Sequence, residues 1–133
     1  MADTIGVGTP GQVADLFGRL RAAAPGVRMR GHFHNTRNTG YANAYAALLA
    51  GVTVLDSSAG GIGGCPFAPR ATGNIATEDL LYLLDGLGLP HGIDGGAVAA
   101  LDPWLADVLG HAVPGQLGKT DAWPAQHATL QAG

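Results

Sequence analysis

Two short strand-like runs, at 27–34 and 52–56, are separated by a single helical stretch. A helix between two strands makes a crossover, so the strands lie parallel, and parallel strands belong to buried, multi-stranded sheets. Ahead of the first run, Thr9-Pro10-Gly11-Gln12 reads as a helix start. It has threonine at the cap, proline at the first helical position and glutamine three residues on to close a capping box. Val13, Leu16, Phe17 and Leu20 then recur at i, i+3, i+4 and i+7, giving one buried face, and Pro25-Gly26 ends the helix. Residues 1–5 add at most the stub of a third strand. A parallel sheet this small has two raw edges. The chain reads as α/β and as part of something larger, although 133 residues suffice for one domain with a core.

Beyond the polar turn NTRNTG at 35–40, a helix is expected over about 41–50, with Tyr41, Ala44, Tyr45, Leu48 and Leu49 facing inward and Gly51 closing it. A long glycine loop precedes another helix from about 75 to 87, whose apolar side is Leu80, Leu81, Leu83, Leu84 and Leu87. Helical structure resumes at Asp94 and breaks at Pro103, which has no backbone N–H to give a helix interior. Asp102 is expected to cap a second short piece through about 109. From Pro114 on there is no hydrophobic period. The domain is therefore assigned to 1–112, and 113–133 to a disordered tail.

Composition narrows the function classes. Hydrophobic residues make up 47% of the chain and charged residues 13%, with a formal charge of −3. That is a globular balance with no basic footprint for nucleic acid or for an anionic membrane surface. A single cysteine forms no internal disulfide, which suits a reducing compartment. The opening MADTIGVGTP lacks the basic and apolar segments of a signal peptide, and no apolar run approaches the roughly 18 residues of a membrane span. A cytoplasmic location is the expectation.

The residues able to do chemistry gather at strand ends. His32 and His34, two apart, leave the same face of their strand at its C-terminal end, where parallel α/β folds place active sites. They suit a divalent metal, or form a hydrogen-bonded pair at a rim. Asn74 reads as the N-cap of a helix beginning at Ile75, or as an oxygen ligand completing a metal site. Cys65, in GGIGGCPFAPRATGN at 60–74, is either an acid or base carried on a closing loop or an incidental exposed thiol. Asp3 and Asp56 end strand-like runs and are catalytic, structural or capping. Arg70 meets an acidic substrate or lies in solvent. In a closed β/α barrel all of these sit at one mouth.

Asp3-Thr4-Ile5-Gly6-Val7-Gly8-Thr9-Pro10, GHFHNT at 31–36, Ala42-Asn43 and VLDSSAGGIGGCPFAPRATGNIATEDLLYLLDGLG at 54–88 together resemble the 3-hydroxy-3-methylglutaryl-CoA lyase family. The likeness runs in order from residue 2 to about 110. It implies a partial TIM (β/α) barrel, about the last three of eight βα units plus a C-terminal helical extension. It also implies a divalent metal, Mg2+ or Mn2+, held by His32, His34 and Asn74, with His32 serving in catalysis as well. Cys65 would be the loop cysteine active in proton transfer, and Asp3 an active-site aspartate near metal and substrate. The implied reaction splits an acyl-CoA substrate, 3-hydroxy-3-methylglutaryl-CoA, into acetoacetate and acetyl-CoA. Claisen-type synthases of the same superfamily carry a similar strand-end HxHN, but typically a glutamate-bearing loop in place of Gly63-Gly64-Cys65-Pro66.

The same resemblance marks what is missing. The family's first-strand arginine–aspartate pair and second-strand glutamate have no counterpart, and Met1 falls inside the family's sixth strand. This chain would supply at most three of four protein ligands and is expected to be inactive alone. It is then the C-terminal part of a longer lyase, a subunit completing a barrel with an N-terminal half-barrel chain or as a homo-oligomer, or a non-catalytic remnant.

Overall fold

The computed structural model describes residues 1–64 and 73–120. In chain order these form β1 (Ala2–Asp3), α1 (Pro10–Ala23), β2 (Arg30–Phe33), α2 (Gly40–Leu49), β3 (Val54–Asp56), α3 (Thr77–Gly86), α4 (Gly95–Ala99) and α5 (Asp102–Leu109). Single 3-10 turns lie at Ala59–Gly61 and Leu117–Lys119. The sheet is parallel, in the order β1-β2-β3, and α1 and α2 are its crossovers. The stub at the start of the chain is thus a true strand, and among the described residues β1 and β3 are both edges.

Alternation along β2 sorts its side chains. Phe33 is fully buried among Val13 and Phe17 of α1, Ala44 and Ala47 of α2, Val52, Ile75 and Leu80. Enclosing a phenylalanine contributes about 1.5–3 kcal/mol, so Phe17 and Phe33 are major anchors of this layer. At the start of α1, Gln12 Oε1 accepts from the Thr9 N–H at 3.0 Å, the reach-back of a capping box. Asp94 caps α4 by accepting from the Ala97 N–H at 2.9 Å.

Several expectations fail for identifiable reasons. β2 starts at Arg30, since Val27 has no strand beside it and is 63% exposed. The inner face of α2 is Asn43, Ala44, Ala46 and Ala47, whereas Tyr45 and Leu49 face outward. Small residues let α2 close tightly on β2 and α1, and periodicity alone favoured the larger side chains. Ile75 does not open α3. Its N–H donates to Phe33 O and its carbonyl accepts from Ser58 N–H, so it is extended and fully buried. The break near Pro103 holds, but Leu101 is the cap residue of α5. Asp102 is its first helical residue, buried, with neither carboxylate oxygen partnered.

The aperiodic stretch after α5 is also tied down as far as it is described. Val113 is buried, Gly115 N–H donates to Gly60 O at 2.9 Å, and Asp79 Oδ1 accepts from the N–H groups of Gln116 and Leu117. Hydrophobic period does not register a segment that docks through its backbone. Residues 121–133 lie outside the described residues. Among the described residues no helix is long and apolar enough to cross a membrane.

Candidate active site

Opposite the Phe33 face, β2 presents Arg30 and His32, and His34 follows just past its end. The His32 and His34 rings converge, with centroids 5.2 Å apart and planes tilted by 56°. His34 is 5% exposed, and burial, followed by the neighbouring His32, lowers its pKa. A lowered pKa keeps the imidazole neutral, the form that binds a cation.

Asn74 reaches this pair through the backbone. The segment 73–76 lies across the C-terminal ends of β2 and β3, forming isolated bridges between His34 and Asn74 and between Ser58 and Ala76. Ala76 is the cap residue of α3, so the capping role open to Asn74 is not the one it takes. Its Nδ2 donates to Ile62 O at 3.1 Å, which fixes the amide orientation and leaves Oδ1 buried without a partner among the described residues. His34 Nδ1 is likewise buried and unpartnered. Two orphaned acceptors on residues that face each other across a bridge, beside a second imidazole, fit a divalent cation. Among the described residues, no three of His, Cys, Asp and Glu gather around one point. The donor set present is two imidazoles and a carboxamide.

Asp3 sits differently. Its backbone pairs with Phe33, so its side chain leaves the sheet on the helix side. Oδ1 accepts from Val7 N–H at 3.0 Å and Oδ2 from Gly8 N–H at 2.9 Å. The carboxylate brackets the turn after β1, and its charge works against the lowering of the His34 pKa. That turn is pinned again by Arg37, whose Nη1 donates to Ile5 O and Gly6 O, and by Thr39 and Asn43, which both donate to Gly8 O. Sequence reading missed these braces, because a polar turn gives no period to follow.

Asp56, the register partner of His32, does bear on the site. Its Oδ1 accepts from Arg30 Nε at 2.6 Å, and its Oδ2 lies 3.5 Å from His32 Nδ1. The hydrogen bond from Arg30 holds the Asp56 carboxyl below its ordinary pKa.

Cys65 and Arg70 lie outside the described residues. The flanking backbone is described. At Gly73, with φ of +86°, a Cβ would sit 2.0 Å from Gly63 O, so residues 63 and 73 meet immediately beside Asn74. Below them, Tyr41 Oη accepts from Ala76 N–H at 2.9 Å and donates to Asp79 Oδ2 at 3.0 Å, and burial pushes its pKa above the usual tyrosine value. Spacing marks Tyr41 as inward, as it is, but gives neither the partners of its hydroxyl nor Asp79. Their roles come from a contact between α2 and α3.

A family model described as HMGL-like matches residues 1–103. The (R)-citramalyl-CoA lyase of Chloroflexus aurantiacus is 53% identical over 119 residues, covering 90% of this chain and 38% of that protein. The hydroxymethylglutaryl-CoA lyase of Pseudomonas mevalonii is 48% identical over 112 residues, covering 84% of this chain and 37% of its own length. An HMG-CoA lyase from Acinetobacter baumannii, solved in complex with coenzyme A and 3-methylmalate, superposes with a TM-score of 0.84 at 41% identity. That match covers 93% of this chain and 42% of the other. The chain thus spans well under half the length of the relatives it matches.

Proposed function

The chain belongs to the HMGL-like family, and on that premise we propose that it forms the last βα units of a divalent-cation-dependent barrel lyase. The lyase would break a carbon–carbon bond in a tertiary 3-hydroxyacyl-CoA. The observation carrying this reading is the meeting of His32, His34 and Asn74, with Nδ1 of His34 and Oδ1 of Asn74 both buried and, among the described residues, unpartnered. The likeness to a structure holding coenzyme A supports the thioester half of the substrate.

The substrate in this reading is 3-hydroxy-3-methylglutaryl-CoA, and the products are acetoacetate and acetyl-CoA. His32, His34 and Asn74 would hold Mg2+ or Mn2+, which when bound steadies negative charge on the tertiary oxygen. As the hydroxyl gives up its proton to a base, its oxygen becomes the new ketone. The electron pair of the broken bond passes to the carbon beside the thioester. Cys65 then returns a proton to that carbon, leaving a thiolate. Asp3, its carboxylate held by the Val7 and Gly8 amides, would serve the site as an aspartate that fixes the turn after β1 behind the cation and substrate. The open edges of β1 and β3 await the remaining units, on the same polypeptide or on a partner chain, which would add a charged fourth ligand. A second substrate, citramalyl-CoA, is favoured by the 53% identity to its lyase.

Mixing this chain with a polypeptide carrying the preceding five units should release acetyl-CoA from one of the two thioesters, and their relative rates name the substrate. Cys65→Ser should cut that release by about 100-fold or more, the usual share of a general acid. His34→Ala should abolish its dependence on Mn2+. Release that survives both changes would overturn the proposal.

A further inference from the structure

Of the two imidazoles, only His34 is fixed by enclosure. It is 5% exposed and its backbone is bridged to Asn74. The His32 side chain is 33% exposed and needs another means of holding its ring. The register of β2 and β3 provides one. Arg30 pairs with Val54 and His32 with Asp56, so Arg30, His32 and Asp56 project from one face. Arg30 gives both Nε, at 2.6 Å, and Nη2, at 2.5 Å, to the same oxygen, Asp56 Oδ1. The second oxygen, Oδ2, is left facing His32 Nδ1 at 3.5 Å. Two charged donors on one oxygen anchor the carboxylate and leave the other oxygen on the His32 side.

We propose that Asp56, braced by Arg30, is a positioning residue that sets the tautomer and direction of His32. A neutral imidazole carries one proton. With Nδ1–H directed at the carboxylate, Nε2 is the atom left with a free lone pair. Asp56 would be no ligand to the cation. It acts through the ring, as the carboxylate behind a ligating histidine commonly does. The asymmetry between the two histidines follows: His34 is placed by packing, His32 by an ion-paired bracket. The link to a cation rests on the function proposed above, whereas the tautomer does not.

The test uses this chain with 15N-labelled histidine, reading tautomers from long-range proton–nitrogen correlations above the histidine titration range. The His32 signals are identified by their loss in His32→Gln. Wild-type His32 is expected in the Nδ1–H form. Asp56→Asn should move it toward the Nε2–H form, Asp56→Glu should restore part of the original pattern, and Arg30→Met should give an intermediate, with His34 unchanged in each. Mn2+ affinity, followed by the free-ion electron paramagnetic resonance signal, should fall about 10–100-fold in Asp56→Asn. An unchanged His32 tautomer in both Asp56→Asn and Arg30→Met would overturn the proposal, and so would a ladder-wide loss of structure with no selective effect on His32. A wild-type chain that takes up no Mn2+ yet shows the tautomer switch would refute the cation reading and leave the bracket standing.

Discussion

Buried carboxyl groups without full hydrogen bonding carry a free-energy cost whenever they ionise, and α3 begins with one. Glu78 has no exposed surface. Its Oε2 accepts from Gly60 N–H at 3.1 Å, and its Oε1 has no partner among the described residues. Burial raises its pKa, with Asp102 and Asp79 adding to the effect, and burial raises Asp102 as well. An acid whose folded pKa lies above its unfolded one stabilises the fold below the unfolded pKa, and that stability is lost as pH rises through the folded value. Glu78→Gln removes this term. Its melting temperature relative to wild type should therefore climb as pH rises above the ordinary glutamate range and through the raised folded value. A gap that stays constant or narrows would contradict the burial argument. Gly73 poses a different constraint. An alanine there would need a left-handed backbone costing about 1–2 kcal/mol, and its Cβ would meet Gly63 O. Gly73→Ala should lower the urea midpoint by more than the backbone cost alone and weaken Mn2+ binding through Asn74.

Among the elements, α2 shows where sequence reading succeeds and where it stops. The parallel β-α-β order, the capping box of α1 and the break before α5 are local properties, written in residues three or four apart, and each could be read directly. Which face of α2 turns inward depends on how closely α1 and β2 approach, and a single sequence does not record that distance. Ile75 shows the same limit: it looks like a helix start because leucines follow, but it is drawn into the ends of β2 and β3. The consequence can be measured. Leu49, 71% exposed, should tolerate Leu49→Gln with a change under about 0.5 kcal/mol. Ala47→Leu, at a fully buried position, should cost about 1–3 kcal/mol by denaturant unfolding. The opposite ranking would restore the face expected from periodicity. In the site, the HxH pair was legible for the same local reason. Asn74 was ambiguous because its partners, Ile62 and His34, are distant in sequence.

For the molecule as a whole, the sheet among the described residues has three strands, two of them edges, and large apolar side chains such as Leu49 and Trp104 stand in the open. A cleft of about 530 Å³ runs beside β3, lined by Val54, Leu55, Leu80, Leu84, Leu89 and Ile93 among others. Unpaired parallel edges flanked by apolar surface recruit further chains. Sedimentation velocity should show the purified chain self-associating at micromolar concentration, and a polypeptide with the preceding units should compete for the same surface. A monomer with one sharp, cooperative melt would show that the edges are not sticky.

The bridge between residues 34 and 74 also ties chemistry to chain order. With the cation site proposed above, a nascent polypeptide could not complete its donor set until position 74 had left the ribosome. Ion capture would then mark the end of synthesis of this region, and a messenger cut short before that point would yield a protein with imidazoles but no third donor.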